Sequence, residues 1–136
     1  MEIELLKVNE PEIKKKITSA SIIYDMMQEE SKADRECMFV IHLNSQNEII
    51  RKELISMGTI NEAITAPREV FRRAIIEGAH KIIIVHNHPS GHTEPSTSDK
   101  RLENTIREAG KIIDIPLLDF IIIGNGYYSS KEASVI

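Results

Sequence analysis

The chain has 136 residues, 41% hydrophobic and 28% charged, with a formal net charge of −4. That length suits one domain with its own core, and the acidic balance argues against nucleic acid as the main partner, because phosphate binding needs clustered Lys and Arg. The single cysteine, Cys37, excludes an intramolecular disulfide and any cysteine-built structural zinc site.

The first residues, MEIELLKVNEPEIKKK, carry acids beside Met1 and no unbroken apolar stretch. They read as neither a signal peptide nor a membrane span, so a cytoplasmic location is expected. The run Lys14, Lys15, Lys16 reads as a solvated helix face. A short strand is expected over residues 3–8, and Pro11 suits the first turn of a helix. Ile13, Ile17, Ala20, Tyr24 and Met27 then recur at helical spacing, one apolar stripe ending near Ser31. Residues 37–43 and 49–58 read as two strands joined through the polar turn 44–48. Cys37 opens the first of these and reads as a buried, inert thiol. Pro67 opens a second helix, packed through Val70, Phe71, Ala74, Ile75 and Gly78. Residues 81–85 are a short apolar run rich in β-branched residues, the pattern of a buried central strand. After the loop HNHPSGHTEP a third helix is expected from about Thr97, with Leu102, Ile106, Ala109 and Ile113 as its stripe and Gly110 tolerated inside. Residues 117–123 form another buried strand, and Gly124-Asn125-Gly126 turns into a last one at Tyr127 and Tyr128. The mixture predicts an α/β (α+β) fold, a mixed sheet with helices on its faces, with residues 1–136 as one domain.

The chemistry concentrates in IIIVHNHPSGHTEPSTSD, residues 82–99. Alternate residues of a strand share a face, so His86 and His88 point the same way at the end of a buried strand, where α/β proteins tend to place sites. Ser96 suits the N-cap of the following helix, and Asp99 falls in its first turn, where free N–H groups and the helix dipole keep a carboxylate ionised. Two neutral imidazoles and one carboxylate suit a single divalent ion, zinc above all, with a fourth position open for water. The plainer alternatives are ordinary histidines and a helix-capping aspartate. His92 reads as a loop histidine, with a fourth ligand or a substrate contact as the alternative. His42 and His80 read as structural or exposed.

The same stretch resembles the JAMM or MPN+ metalloprotease motif: His86-Asn87-His88, seven residues, Ser96, two residues, Asp99. It is closer still to the RadC family, which HNHPSG, EPS and the following Asp resemble, as do LNSQNEII, GTIN, APREVF and IPLLDFIIIG. The resemblance covers about residues 19–132. It implies a curved mixed sheet flanked by helices, of cytidine-deaminase-like architecture, and one Zn²⁺ held by His86, His88 and Asp99. It implies an oxyanion-holding role for Ser96 and an upstream Glu as general acid/base. Among Glu48, Glu53, Glu62, Glu69 and Glu77, Glu53 is the expected base: it shares a strand face with Ile55 and Met57, and desolvation would raise its pKa toward a useful value. Two departures stand out. Phe120 occupies the place of a family His after Asp119, which puts any role of Asp119 in doubt. Only about 30 residues precede the first core strand, so the family's N-terminal helix-hairpin-helix-like region is expected to be missing.

The function implied is metal-assisted hydrolysis of an amide or isopeptide bond in a protein or peptide substrate. The rivals are a non-catalytic metal-binding interaction module and a DNA-processing protein. A zinc deaminase is excluded, because its Pro-Cys-x-x-Cys ligand pair needs two cysteines.

Overall fold

The computed structural model describes residues 15–58 and 65–134. The expected strand over residues 3–8, the helix start at Pro11, Ile13, Lys14 and Glu62 lie outside the described residues. The first helical stripe is interrupted at its start. Helix α1 spans Ala20–Met26 and α2 is a single turn, Gln28–Ser31. Residues 15–17 are not helical: Lys16 bridges Glu48, Ile17 N–H donates to Asn47 O at 2.8 Å, and Ile49 N–H donates to Lys15 O at 2.8 Å. Ile17 is nonetheless buried. Apolar spacing registers the side chain, and cannot register that its backbone bonds run to a neighbouring turn.

Strand β1, Cys37–Leu43, is buried along its whole length and pairs antiparallel with β2, Ile49–Met57. Asn44 closes the turn between them, its Oδ1 accepting from Gln46 N and Glu48 N. Helix α3, Pro67–Ile76, starts at its proline and buries Val70, Phe71 and Ala74. Ile75, expected on that face, is exposed, as is Ile113 on the next helix; they sit at the margins of their stripes. Strand β3, Lys81–Asn87, runs two residues further than its apolar core predicts. Helix α4 spans Thr97–Ile113, β4 Leu117–Gly124 and β5 Gly126–Ser129.

The five strands form one sheet in the order β2-β1-β3-β4-β5, antiparallel except for the parallel β3–β4 pair. The fold is therefore a mixed sheet flanked by helices, as expected. One face packs under α3 and α4 through Val40, Ile82, Ile84, Phe120 and Ile122 against Phe71 and Ile106. The other packs under α1 through Phe39, Ile41, Ile83, Val85 and Ile121 against Ile23 and Met27. Phe120 is fully buried in the α3–α4 core, so the position where the resemblance implies a histidine is here a packing position. Among the described residues no helix is long and apolar enough to cross a membrane.

Candidate metal centre

Register puts His86 at the carboxyl end of β3, opposite Met38 of β1 and Ile122 of β4, on the face covered by α4. His88 follows the strand by one residue, and its N–H donates to Ile123 O at 2.8 Å, which holds the loop start to β4. The loop is then fastened to the β4–β5 turn: Asn125 N–H donates to Gly91 O at 2.7 Å. Gly91 and Gly124 approach so closely that a Cβ on Gly124 would lie 2.4 Å from Gly91 O.

Asp99 arrives from the other side. Ser96 caps α4: its Oγ accepts from Asp99 N–H at 3.0 Å, and Asp99 Oδ2 accepts from Ser96 N–H at 2.8 Å, a reciprocal capping box. The box turns the Asp99 carboxylate toward β3. His86 Nδ1 lies 3.0 Å from Asp99 Oδ1, and His88 Nε2 lies 3.1 Å from Asp99 Oδ2. One ligand atom from each of the three residues lies within 4.8 Å of the others. Burial pushes the Asp99 carboxyl up, but hydrogen bonds from His86 and Ser96, with the His86 charge, outweigh it and bring it from 3.8 down to about 2.

The donor set fits a cation. His88 Nδ1 lies 2.9 Å from His92 O, and a carbonyl only accepts, so that nitrogen carries hydrogen and Nε2 is the one left to bind. Nε2 faces a carboxylate oxygen, an arrangement satisfied by a proton or a metal between them. Among the described residues His86 Nε2 has no hydrogen-bond partner although it is buried, a costly state for a polar atom and the ordinary condition of a ligand atom before binding. His92 thus serves through its backbone, and its ring is exposed.

A cleft of about 680 Å³ opens over these residues, lined among others by Glu36, Met38, Pro67, Ser96, Arg101 and Leu102. Glu53 does not line it. Glu53 pairs with Val40, which pairs with Ile84, so it stands two strands across and two residues back from His86, roughly 12 Å away from strand spacing and rise. Its carboxylate instead meets His42 Nε2 at 3.0 Å and Arg73 Nη1 at 2.7 Å. Burial raises its pKa, but these two partners outweigh it and the net shift is downward, opposite to the expectation. The other described candidates have their own partners: Glu48 with Asn44, Glu69 with Arg72, Glu77 with Arg51.

The glutamate that reaches the cleft is Glu36, one residue before β1, with Oε2 3.9 Å from His86 Nε2. Sequence reading passes over it because it lies in a polar connection outside any periodic element. Only the pairing of β1 beside β3 brings it across 50 positions to His86. Asp119, left open above, is structural: its carboxylate accepts from Phe120 N, Ser129 Oγ and Lys131 N, and ties β4 to β5 and the turn beyond it.

A family model described as RadC-like JAB domain matches residues 17–135. A UPF0758 protein of Pelodictyon phaeoclathratiforme is 45% identical over 126 residues, covering 91% of this chain and 57% of its own. One from Chlorobium phaeovibrioides is 46% identical over 120 residues, covering 87% and 54%, and one from Methanosarcina mazei is 40% identical over 126 residues, covering 92% and 54%. The chain spans a little over half the length of these curated relatives.

Proposed function

The chain belongs to the RadC family of JAB-like domains, and from that premise we propose that it is a zinc-dependent hydrolase of amide or isopeptide bonds in a protein or peptide substrate. The observation that carries this reading is the meeting of His86, His88 and Asp99 at the floor of an open cleft, with Glu36 beside a His86 nitrogen that has no partner among the described residues.

His86, His88 and Asp99 would hold the ion, which supplies a Lewis acid able to bring the pKa of water from about 15.7 toward ~7. Glu36 is the only carboxylate besides Asp99 among the described residues that line the cleft. It takes the proton of the attacking water and passes it to the leaving amine. Its side chain is 47% exposed, so it can reach water and swing between the two positions. The Ser96 hydroxyl accepts from Asp99 N–H, which leaves its own hydrogen to donate toward the oxygen that gains charge. Because accepting also caps α4, loss of this hydroxyl weakens the helix start and the chemistry together.

The test is zinc content and turnover on linear and isopeptide-linked fluorogenic peptides. Glu36→Gln is expected to keep zinc and lose turnover by about 10²–10⁴-fold, whereas His86→Ala loses the zinc itself. Wild-type turnover in the zinc-loaded Glu36→Gln protein would remove Glu36 from the mechanism. Absence of zinc binding by the wild type would remove the mechanism altogether.

A further inference from the structure

The middle residue of the His86-Asn87-His88 tripeptide takes no part in the centre, yet it is only 2% exposed. Strand alternation turns its side chain to the face opposite His86, toward Cys37. The antiparallel ladder between β1 and β3 has its last backbone pair at Met38 and His86. Beyond that pair the Asn87 side chain takes over the ladder. Its Oδ1 accepts from Cys37 N–H at 2.5 Å and its Nδ2 donates to Arg35 O at 3.1 Å. A carboxamide offers an acceptor and a donor side by side in one plane, as a backbone peptide does.

The two groups it bonds flank Glu36. Residues 34–36 are exposed and outside any helix or strand, so apolar burial does little to fix this connection. Besides Asn87, the backbone bond from Gly58 N–H to Glu36 O at 2.8 Å holds it. We propose that Asn87 is the positioning residue of Glu36: by bonding the backbone on both sides, it registers the end of β1 to the strand that carries the histidines and keeps the carboxylate over the metal centre. This rests on the reading of Glu36 as the proton carrier.

The test is NMR on protein labelled with ¹³C at glutamate Cδ, titrated with Zn²⁺, for wild type, Asn87→Ala and Asn87→Ser. Serine is included because its hydroxyl fills part of the space and can serve one of the two backbone groups. In wild type the Glu36 resonance is expected to move on zinc addition. In the variants that movement shrinks, while zinc affinity changes by less than the roughly 10-fold that loss of a ligand-orienting group costs. The Cys37 amide should exchange with solvent about 10-fold faster or more in the variants, with the rest of β1 unchanged. A Glu36 resonance that moves as far in the variants as in wild type overturns the positioning role and leaves Glu36 in place. A wild-type resonance that ignores zinc overturns Glu36 and Asn87 together. Where neither variant folds, wild type still decides: a Cys37 amide that exchanges as fast as that of Arg35 overturns the clamp.

Discussion

A glutamate carries protons only where its carboxylate can approach the reacting water. Glu53 has the burial for the task and the wrong neighbours: His42 and Arg73 occupy its two oxygens. Its position on a core-facing side of β2 was legible from strand alternation, but its partners were not, because they depend on β1 register and on a helix 20 residues downstream. Glu53→Gln is therefore expected to leave zinc content and turnover unchanged and to lower stability by about 1–3 kcal/mol, read as a shift in denaturant midpoint. Asp99 gives the pH dependence. Its folded-state pKa of about 2 lies below the value of 3.8 for a free carboxyl. As pH falls below about 4 the unfolded chain takes up this proton first, so the stability Asp99 contributes, about 2 kcal/mol, is present above pH 4 and lost as pH drops through about 2. Zinc-free Asp99→Asn, compared with wild type by denaturant unfolding from pH 6 to 2, should show a stability gap that closes with acid. A gap constant across that range would show that the charge of Asp99 contributes no stability.

Two glycines hold the elements closer together than any other residue allows. Gly110 lies inside α4, where its cost is about 1 kcal/mol against alanine, and helical periodicity can say only that it is tolerated. A Cβ there would lie 2.6 Å from Ile115 O and 3.3 Å from Phe71 Cζ, so the helix packs against the backbone that leads into β4. Overpacking typically costs about 1–3 kcal/mol and exceeds the propensity gain, so Gly110→Ala should destabilise despite being a better helix former. A raised thermal midpoint would show that the contact gives way. Gly124→Ala meets a backbone oxygen at 2.4 Å. It should push the loop of residues 88–91 away from β4 and weaken zinc binding as well as folding, measured by competition with a chromophoric chelator. The same scale shows what sequence pattern reads well. β3, α4 and β4 announce themselves through apolar runs and stripes. Residues 15–17 do not, because their hydrogen bonds belong to a turn 30 positions away and leave no periodic trace.

The candidate metal centre draws on the whole molecule. The grouping of the candidate ligands was legible in the sequence because it lies within 14 residues of chain, from His86 to Asp99, but the cleft above it was not. Its walls come from Glu36 before β1, Pro67 at the start of α3 and Leu102 on α4, which only the strand order brings together. In the unfolded chain His86 and His88 remain two residues apart and would keep only a fragment of any metal affinity, while Asp99 is placed against them only by the α4 cap and its packing on the sheet. Zinc held there as proposed would therefore bind the folded state in preference and stabilise it. At a free concentration 100 times the dissociation constant the gain is about 2.7 kcal/mol, trimmed by whatever the unfolded chain retains. For a domain of this size that corresponds to a rise of about 10 °C in thermal midpoint. His86→Ala is expected to shift the zinc-free midpoint modestly and to abolish the zinc-dependent rise, whereas Glu36→Gln should preserve the rise in full. A zinc-dependent rise that survives in His86→Ala would mean that the ion stabilises the fold from somewhere other than the His86, His88 and Asp99 cluster.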